Sequence, residues 1–359
     1  MAAFKALPTR PLGRNGPLVP RLGLGLMGAS GMYGSYLSDE ERFVFLDEAY
    51  RRGERFWDTE QVTKRSHNAD IPEADKYGDS EDLLGKWFAA NPDKRKDIFL
   101  ATKFGIKPIK TPPGNTMDSS PEYCRECMDR SLSRLGLPFV DLYYVHRLDK
   151  ITPIEKTMQT MVELKNAGKI KYIGLSECSA ESLRRAHAVH PVTCVQVEYS
   201  LLCTEIESPK RRLLEVAREL GVAIVCYSPM ANGFLTGTIR SRADVTKPGD
   251  LRGNVLPWLK EGNFENNIVV LDQIAEIAKK NGVTLPQLSL AWLLAQGDDV
   301  FPIPGSSSIQ RLDQNLQSLE VTLSEEDELQ MRRLAKGIVG GRFQEMTGYA
   351  FGDTPALEP

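Results

Sequence analysis

The sequence predicts an α/β fold: a closed (β/α)8 TIM barrel with a β-hairpin before it and a loop-like tail after it. Three observations carry that reading. A chain of 359 residues is long for an ordinary domain but normal for an α/β barrel with insertions. Short apolar runs alternate with helical runs along nearly the whole chain, the pattern of parallel strands joined by crossover helices. Ionisable residues recur at the ends of successive strands, where the chemistry of such barrels sits. No linker or internal repeat divides residues 1–359, so one domain is expected.

The opening residues 5–24 are short apolar pieces split by Arg14-Asn15-Gly16-Pro17, and Asn-Gly marks a hairpin turn. Gly23-Leu-Gly-Leu-Met-Gly28 matches G-x-G-x-x-G, but more glycines follow and no helix opens inside it. It therefore reads as a loop lining a ligand site, not as a dinucleotide fingerprint. Helix 38–52 follows, with Phe43, Leu46 and Ala49 at helical spacing. Then come strand 55–59, helix 80–90, strand 98–103 and helix 121–135, the last announced by Ser120 and Pro121. Strand 140–146, helix 153–167, strand 172–176, helix 180–188, strand 192–197, helix 209–220 and strand 223–228 continue the rhythm. A polar insert over 238–263 interrupts it. Helices 267–281 and 285–295, strand 300–304, helix 309–318, strand 319–323 and helix 324–335 complete eight units. The tail, 337–359, is glycine-rich and aromatic and reads as an arm or loop.

A net charge of −3 and a pI near 6.0 give no basic face for nucleic acid. No apolar run approaches the ~20 residues of a membrane span, and the first residues lack a signal-peptide core. Six cysteines are scattered without a disulfide framework. Cys124 and Cys127 form a C-x-x-C, but inside a helix with no second pair, so helical coincidence outweighs a metal site. A soluble cytoplasmic protein acting on a small molecule is expected. No metal site and no signal for oligomeric state are present.

The strand ends supply the chemistry. Strand 55–59 ends in Asp58, strand 98–103 in Lys103, and strand 140–146 in His146. Tyr77 precedes Gly78 at a helix start. A phenol titrates near ~10 and alone is a poor acid at neutral pH. A nearby ammonium lowers that value. Asp58 would hold Lys103 charged and in place, and His146 would donate to a carbonyl oxygen, an arrangement suited to carbonyl reduction. Taken singly, each residue has a plain alternative: a helix cap, a solvated lysine, a core histidine. Their fall at successive tips of one barrel face favours a shared site.

These pieces resemble the aldo-keto reductase family, over about residues 12–333. The resemblance rests on Phe-Trp-Asp58-Thr, Tyr77-Gly-Asp-Ser-Glu-Asp-Leu-Leu-Gly, Thr-Lys103-Phe-Gly and Asp-Leu-Tyr-Tyr-Val-His146-Arg. It also rests on Gly-Leu-Ser-Glu177, Gln196-Val-Glu-Tyr-Ser, Tyr227-Ser-Pro-Met-Ala-Asn-Gly-Phe-Leu-Thr-Gly237 and the run from Ile303 to Asn315. The look is that of the fungal and plant branch. The resemblance implies an NADPH/NADP+ cofactor, no metal, and a small-molecule carbonyl substrate. Tyr77 would be the general acid, tuned by Lys103 and Asp58, with His146 orienting the carbonyl. Ser176 and Gln196 would meet the nicotinamide carboxamide, and Tyr227 would stack on its ring. Ser228, Pro229, Met230, Gly233, Leu235 and Gly237 would follow the pyrophosphate. Ile303, Gly305, Ser306, Arg311, Gln314 and Asn315 would hold the adenosine end, with Ser306 and Arg311 toward a 2′-phosphate.

Three departures stand out. Position 308 is Ser where many relatives carry Lys, which leaves the phosphate to Arg311. Position 177 is Glu where many carry Asn. The family spaces its Asp and Tyr five positions apart, whereas Asp58 and Tyr77 are nineteen apart. Loop insertions cost little closure entropy, so the barrel should survive the extra run, about 60–73; the run is expected to bulge outward with the tetrad still assembled. The alternative is a weakly catalytic or inactive NADPH-binding sensor. Tyr33, Trp57, Trp258 and Phe343 are candidate pocket walls.

Overall fold

A computed structural model describes residues 6–30, 37–61, 79–109, 115–247, 250, 252–342 and 348–358. Strands β1 (Thr9–Pro11) and β2 (Leu18–Pro20) form the expected antiparallel hairpin. The barrel runs in order through β3 (Leu24–Gly25), β4 (Phe56–Asp58) and β5 (Phe99–Phe104). A small hairpin, β6 (Ile106–Pro108) with β7 (Asn115–Met117), intervenes. The ring continues through β8 (Val140–Val145), β9 (Ile170–Ser176), β10 (Cys194–Glu198), β11 (Ala223–Tyr227) and β12 (Val300–Pro302), all parallel. It closes where Gly23 N–H donates to Pro302 O at 2.9 Å, Gly25 N–H donates to Pro304 O at 3.2 Å, and Gly25 bridges to Gly305. Gly25 is required there, because a Cβ on it would lie 2.7 Å from Ile303 O. The result is a (β/α)8 barrel.

Strand alternation sorts the side chains. Phe56, Ala101, Leu142, Tyr144, Cys194, Ala223, Val225, Phe301 and Ile303 fill the barrel interior as one cluster. Trp57, Leu100, Tyr143 and Val195 point outward to the helices and join a second cluster with Trp87, Met128 and Trp292. Trp57 is fully buried against Trp87, ring centroids 5.0 Å apart, so it belongs to this outer core and not to a pocket wall. Burial of one such side chain stabilises by about 1.5–3 kcal/mol. Trp258 is also buried, beneath Gly340 of the tail. Tyr33 and Phe343 lie outside the described residues.

Helices Ser80–Ala90, Pro121–Leu135 and Leu285–Ala295 keep their expected bounds. The polar insert condenses into short turns, Arg242–Asp244, Arg252–Val255 and Pro257–Leu259. Two expectations fail together. The glycine-rich stretch supplies barrel strand β3, and the strand expected over 319–323 is absent. Ser318–Glu320 is a single 3-10 turn instead, followed by Ser324 capping helix Glu325–Ala335. The count of eight survives because one strand replaces the other. All six cysteines are free and buried. Among the described residues no helix is long and apolar enough to cross a membrane, and no acidic, His or Cys cluster could hold a metal.

Candidate active site

The two-residue period that places Phe56 inside the barrel also places Asp58 there. In the same way Ala101 leads to Lys103, Tyr144 to His146, Cys194 to Gln196 and Glu198, and Val225 to Tyr227. All lie at the C-terminal ends of parallel strands, so they converge on one mouth. Lys103 Nζ donates to Asp58 Oδ1 and, at 3.0 Å, to Thr59 O. Gln196 Nε2 donates to the other Asp58 oxygen at 2.8 Å. All three side chains are buried. Burial pushes the Asp58 carboxyl up and outweighs the opposing pull of Lys103 and Gln196.

His146 is buried at the same corner. Burial, with Arg147 and Lys103 as neighbouring cations, holds its pKa well below the usual imidazole range. The ring is therefore neutral at physiological pH, one nitrogen donating and the other accepting. Its Nδ1 has no hydrogen-bond partner among the described residues. Its Nε2 faces Glu60 Oε2 at 3.5 Å.

Glu60 and Gln61, the first residues of the extra run, do not bulge outward as expected. Thr59 N–H donates to Ala101 O at 2.9 Å and Gln61 N–H to Lys103 O at 3.1 Å, so the backbone keeps running along β5. The period then turns Glu60 inward beside Asp58, and both new residues are buried. Gln61 is pinned on the outer side to Cys127 O and Ser131 Oγ of helix Pro121–Leu135. Tyr77 and residues 62–78 as a whole lie outside the described residues.

The expected cofactor residues divide. Ser176 and Gln196 lie on the inner face, but Ser176 Oγ accepts from Arg147 at 3.1 Å and Gln196 reaches Asp58. Tyr227 OH donates to Glu177 Oε1 at 3.0 Å. After β11 the backbone enters the left-handed region at Ser228, Ala231, Asn232, Gly233 and Gly237. Leu235 is fully buried and Pro229 is buried, so neither side chain is presented to solvent, while Met230 packs on the core. Ile303 is core, Gly305 is exposed and Ser306 is buried. Ser308 caps helix Ile309–Gln317, where Arg311 is exposed and reaches Ser307 Oγ at 3.3 Å. Gln314 is taken up by Thr284 Oγ1 at 2.8 Å, and Asn315 is buried.

Sequence reading missed a second charged group at the mouth. Arg342, from the tail, is 1% exposed and pairs with Glu177 at 2.7 Å and Glu198 at 3.0 Å. Its Nη2 also lies 3.5 Å from Tyr227 OH. Arg147 reaches the same hydroxyl at 3.4 Å. Glu177 takes a left-handed backbone, φ 52°, and Gly352 N–H donates to its carbonyl at 2.6 Å. The described tail residues Arg342 and Gly352 thus reach the barrel mouth through Glu177 and Glu198. The Glu at position 177 was the available signal, since a buried carboxylate needs a cation.

The profile of the Aldo/keto reductase family matches residues 21–336. An aldo-keto reductase of Strobilurus tenacellus is 45% identical over 358 residues, covering 98% of this chain and 99% of the relative. One of Schizosaccharomyces pombe, whose name carries NADP(+), is 41% identical over 355 residues, covering 98% and 99%. A probable aldo-keto reductase of Glycine max is 39% identical over 339 residues, covering 92% and 90%. A thermostable aldo-keto reductase solved with the inhibitor epalrestat superposes with a TM-score of 0.69 at 28% identity, covering 91% of this chain and all of that one. The chain belongs to the aldo/keto reductase family of oxidoreductases.

Proposed function

We propose that the protein reduces an aldehyde or ketone to an alcohol with NADPH, with Tyr77 as general acid. The observation that carries this reading is the buried corner of Asp58, Lys103 and His146. An ammonium and a neutral imidazole converge there, above the apolar interior of the barrel. Such a pair polarises a carbonyl oxygen and stabilises the charge that grows on it. Asp58, gripped through both oxygens, keeps Lys103 aimed inward.

The residues present fit the cofactor. Ser308 caps a helix N-terminus and the exposed Arg311 stands in its first turn, an arrangement that takes a phosphate. Ser176, Gln196 and Tyr227 line the inner face for the nicotinamide. When bound, the cofactor supplies the hydride. The chain's part is to orient the carbonyl, exclude water and deliver the proton. Buried unpaired thiols support a cytoplasmic setting.

The test is NADPH absorbance with a panel of aryl and aliphatic aldehydes and ketones. Turnover is expected, and Tyr77→Phe is expected to lower kcat/KM by about 10²-fold or more. Tight NADPH binding without turnover, or a Tyr77→Phe enzyme as fast as the natural one, would overturn the reading.

A further inference from the structure

We propose that Arg342, from the C-terminal tail, is a positioning residue of the cofactor site: held between Glu177 and Glu198, it fixes the phenol of Tyr227 on which the nicotinamide is to lie. The proposal rests on the oxidoreductase reading above, which gives Tyr227 that place. It goes beyond that reading by making the tail part of the site.

Tyr227 ends β11 and is only half-buried, yet its hydroxyl is fully engaged. It donates to Glu177 Oε1 at 3.0 Å and lies within reach of two guanidiniums, Arg147 Nη2 at 3.4 Å and Arg342 Nη2 at 3.5 Å. A phenol has one proton to give and two lone pairs to offer, so every position on the oxygen is taken. The Arg147 guanidinium also lies over the ring, 5.8 Å from its centroid. The ring is thus held from its hydroxyl end by groups at the ends of β8 and β9 and in the tail.

Arg342 is the member that ties this group together. Glu177 is fully buried, and the oxygen that accepts from Tyr227 also accepts from Arg342 at 2.7 Å and from the Glu198 N–H at 2.9 Å. Arg342 Nε donates to Glu198 Oε2 at 3.0 Å. One guanidinium therefore serves two buried carboxylates, a task suited to its planar fork. The tail holds the guanidinium in turn. The Phe351 ring centroid lies 5.0 Å from it, and Gly352 N–H donates to the Glu177 carbonyl at 2.6 Å. Arg147 is the other cation acting on Glu177. It now donates to Ser176 Oγ at 3.1 Å. Loss of Arg342 draws Arg147 toward Glu177, and so disturbs both Tyr227 and Ser176, the two residues expected at the nicotinamide.

The experiment measures Kd for NADPH and for 2′,5′-ADP, which carries the adenosine and the 2′-phosphate but no nicotinamide. Titration calorimetry is run on the natural chain, Arg342→Met, Arg342→Lys, Tyr227→Phe and Arg342→Met with Tyr227→Phe, each shown to be folded by circular dichroism. Arg342→Met is expected to raise the Kd for NADPH about ten-fold and to leave that for 2′,5′-ADP unchanged, with Arg342→Lys in between. Tyr227→Phe should also weaken NADPH. The double variant should bind it no worse than Arg342→Met alone, because both changes remove the same contact. Natural NADPH affinity in Arg342→Met, equal losses for the two ligands, or losses that multiply in the double variant would overturn the proposal and leave the reductase reading standing. If the natural chain binds 2′,5′-ADP as tightly as NADPH, the nicotinamide is not held and both fall. If it binds NADPH but reduces no carbonyl, the reductase reading falls and the comparison of the two ligands still decides this proposal. Should Arg342→Met not fold, Arg342→Lys decides: weaker NADPH with 2′,5′-ADP unchanged supports the proposal, and natural NADPH affinity overturns it.

Discussion

Replacement of Arg342 by Met removes the cation from a buried group of known geometry. The guanidinium holds Glu177 at 2.7 Å and Glu198 at 3.0 Å with 1% of its side chain exposed. Methionine fills similar volume, so the loss is one of charge pairing, and breaking a buried pair costs about 3–5 kcal/mol. For a chain of this length that corresponds to a Tm lower by about 4–7 °C. The pH dependence identifies the cause. Burial pushes the Glu177 carboxyl up, but Arg342, Arg147 and the Glu198 N–H together hold it below the ordinary range. Its contribution to stability is present above the unfolded pKa and lost as pH falls through the folded one. Glu198 lies on the other side, raised by burial beyond what Arg342 offsets. Without Arg342 both carboxyls move up and take protons on acidification. The gap in Tm between natural and variant proteins should therefore narrow from pH 7.5 to pH 5.5 in scanning calorimetry. A gap within about 1 °C at pH 7.5, or one constant with pH, would refute the reasoning.

Two further outcomes are expected. Deleting residues 62–73 while keeping Glu60 and Gln61 should leave NADPH-dependent turnover in place, as the anchors on β5 and on helix Pro121–Leu135 are retained. Turnover by the shortened chain alone would mean that the insertion blocks the site. Arg311→Ala should raise the Kd for NADPH about ten-fold or more and leave NADH nearly unchanged, read by fluorescence titration. Equal losses for both would remove Arg311 from the 2′-phosphate.

The corner was legible in the sequence because its parts sit at the C-terminal ends of apolar strands with a two-residue period. Apolar residues two positions before Asp58, Lys103, His146 and Gln196 fix which face each occupies. Helix bounds were legible where caps are strong, as at Ser120-Pro121 and at Thr284, whose hydroxyl accepts from Gln287 N–H. Strand β3 was not, because two residues amid glycines show no period, and its place is set by Pro302 and Pro304 from the other end of the chain. The strand expected over 319–323 failed because five alternating residues carry no information about a partner to pair with. Arg342 could not be placed, since its partners are some 165 and 144 positions away. Glu60 read as part of a polar insertion. Only the continued pairing with β5 shows that the first residues of that insertion still belong to the strand's register.

The central claim is that carbonyl reduction takes place at the Asp58–Lys103–His146 corner. Lys103→Met tests it most directly, with NADPH binding measured beside aldehyde reduction. The account predicts retained NADPH binding and a kcat/KM lower by about 10²-fold or more, because the ammonium that stabilises the developing oxyanion is gone. A Lys103→Met protein that binds NADPH and reduces aldehydes at the natural rate would contradict it.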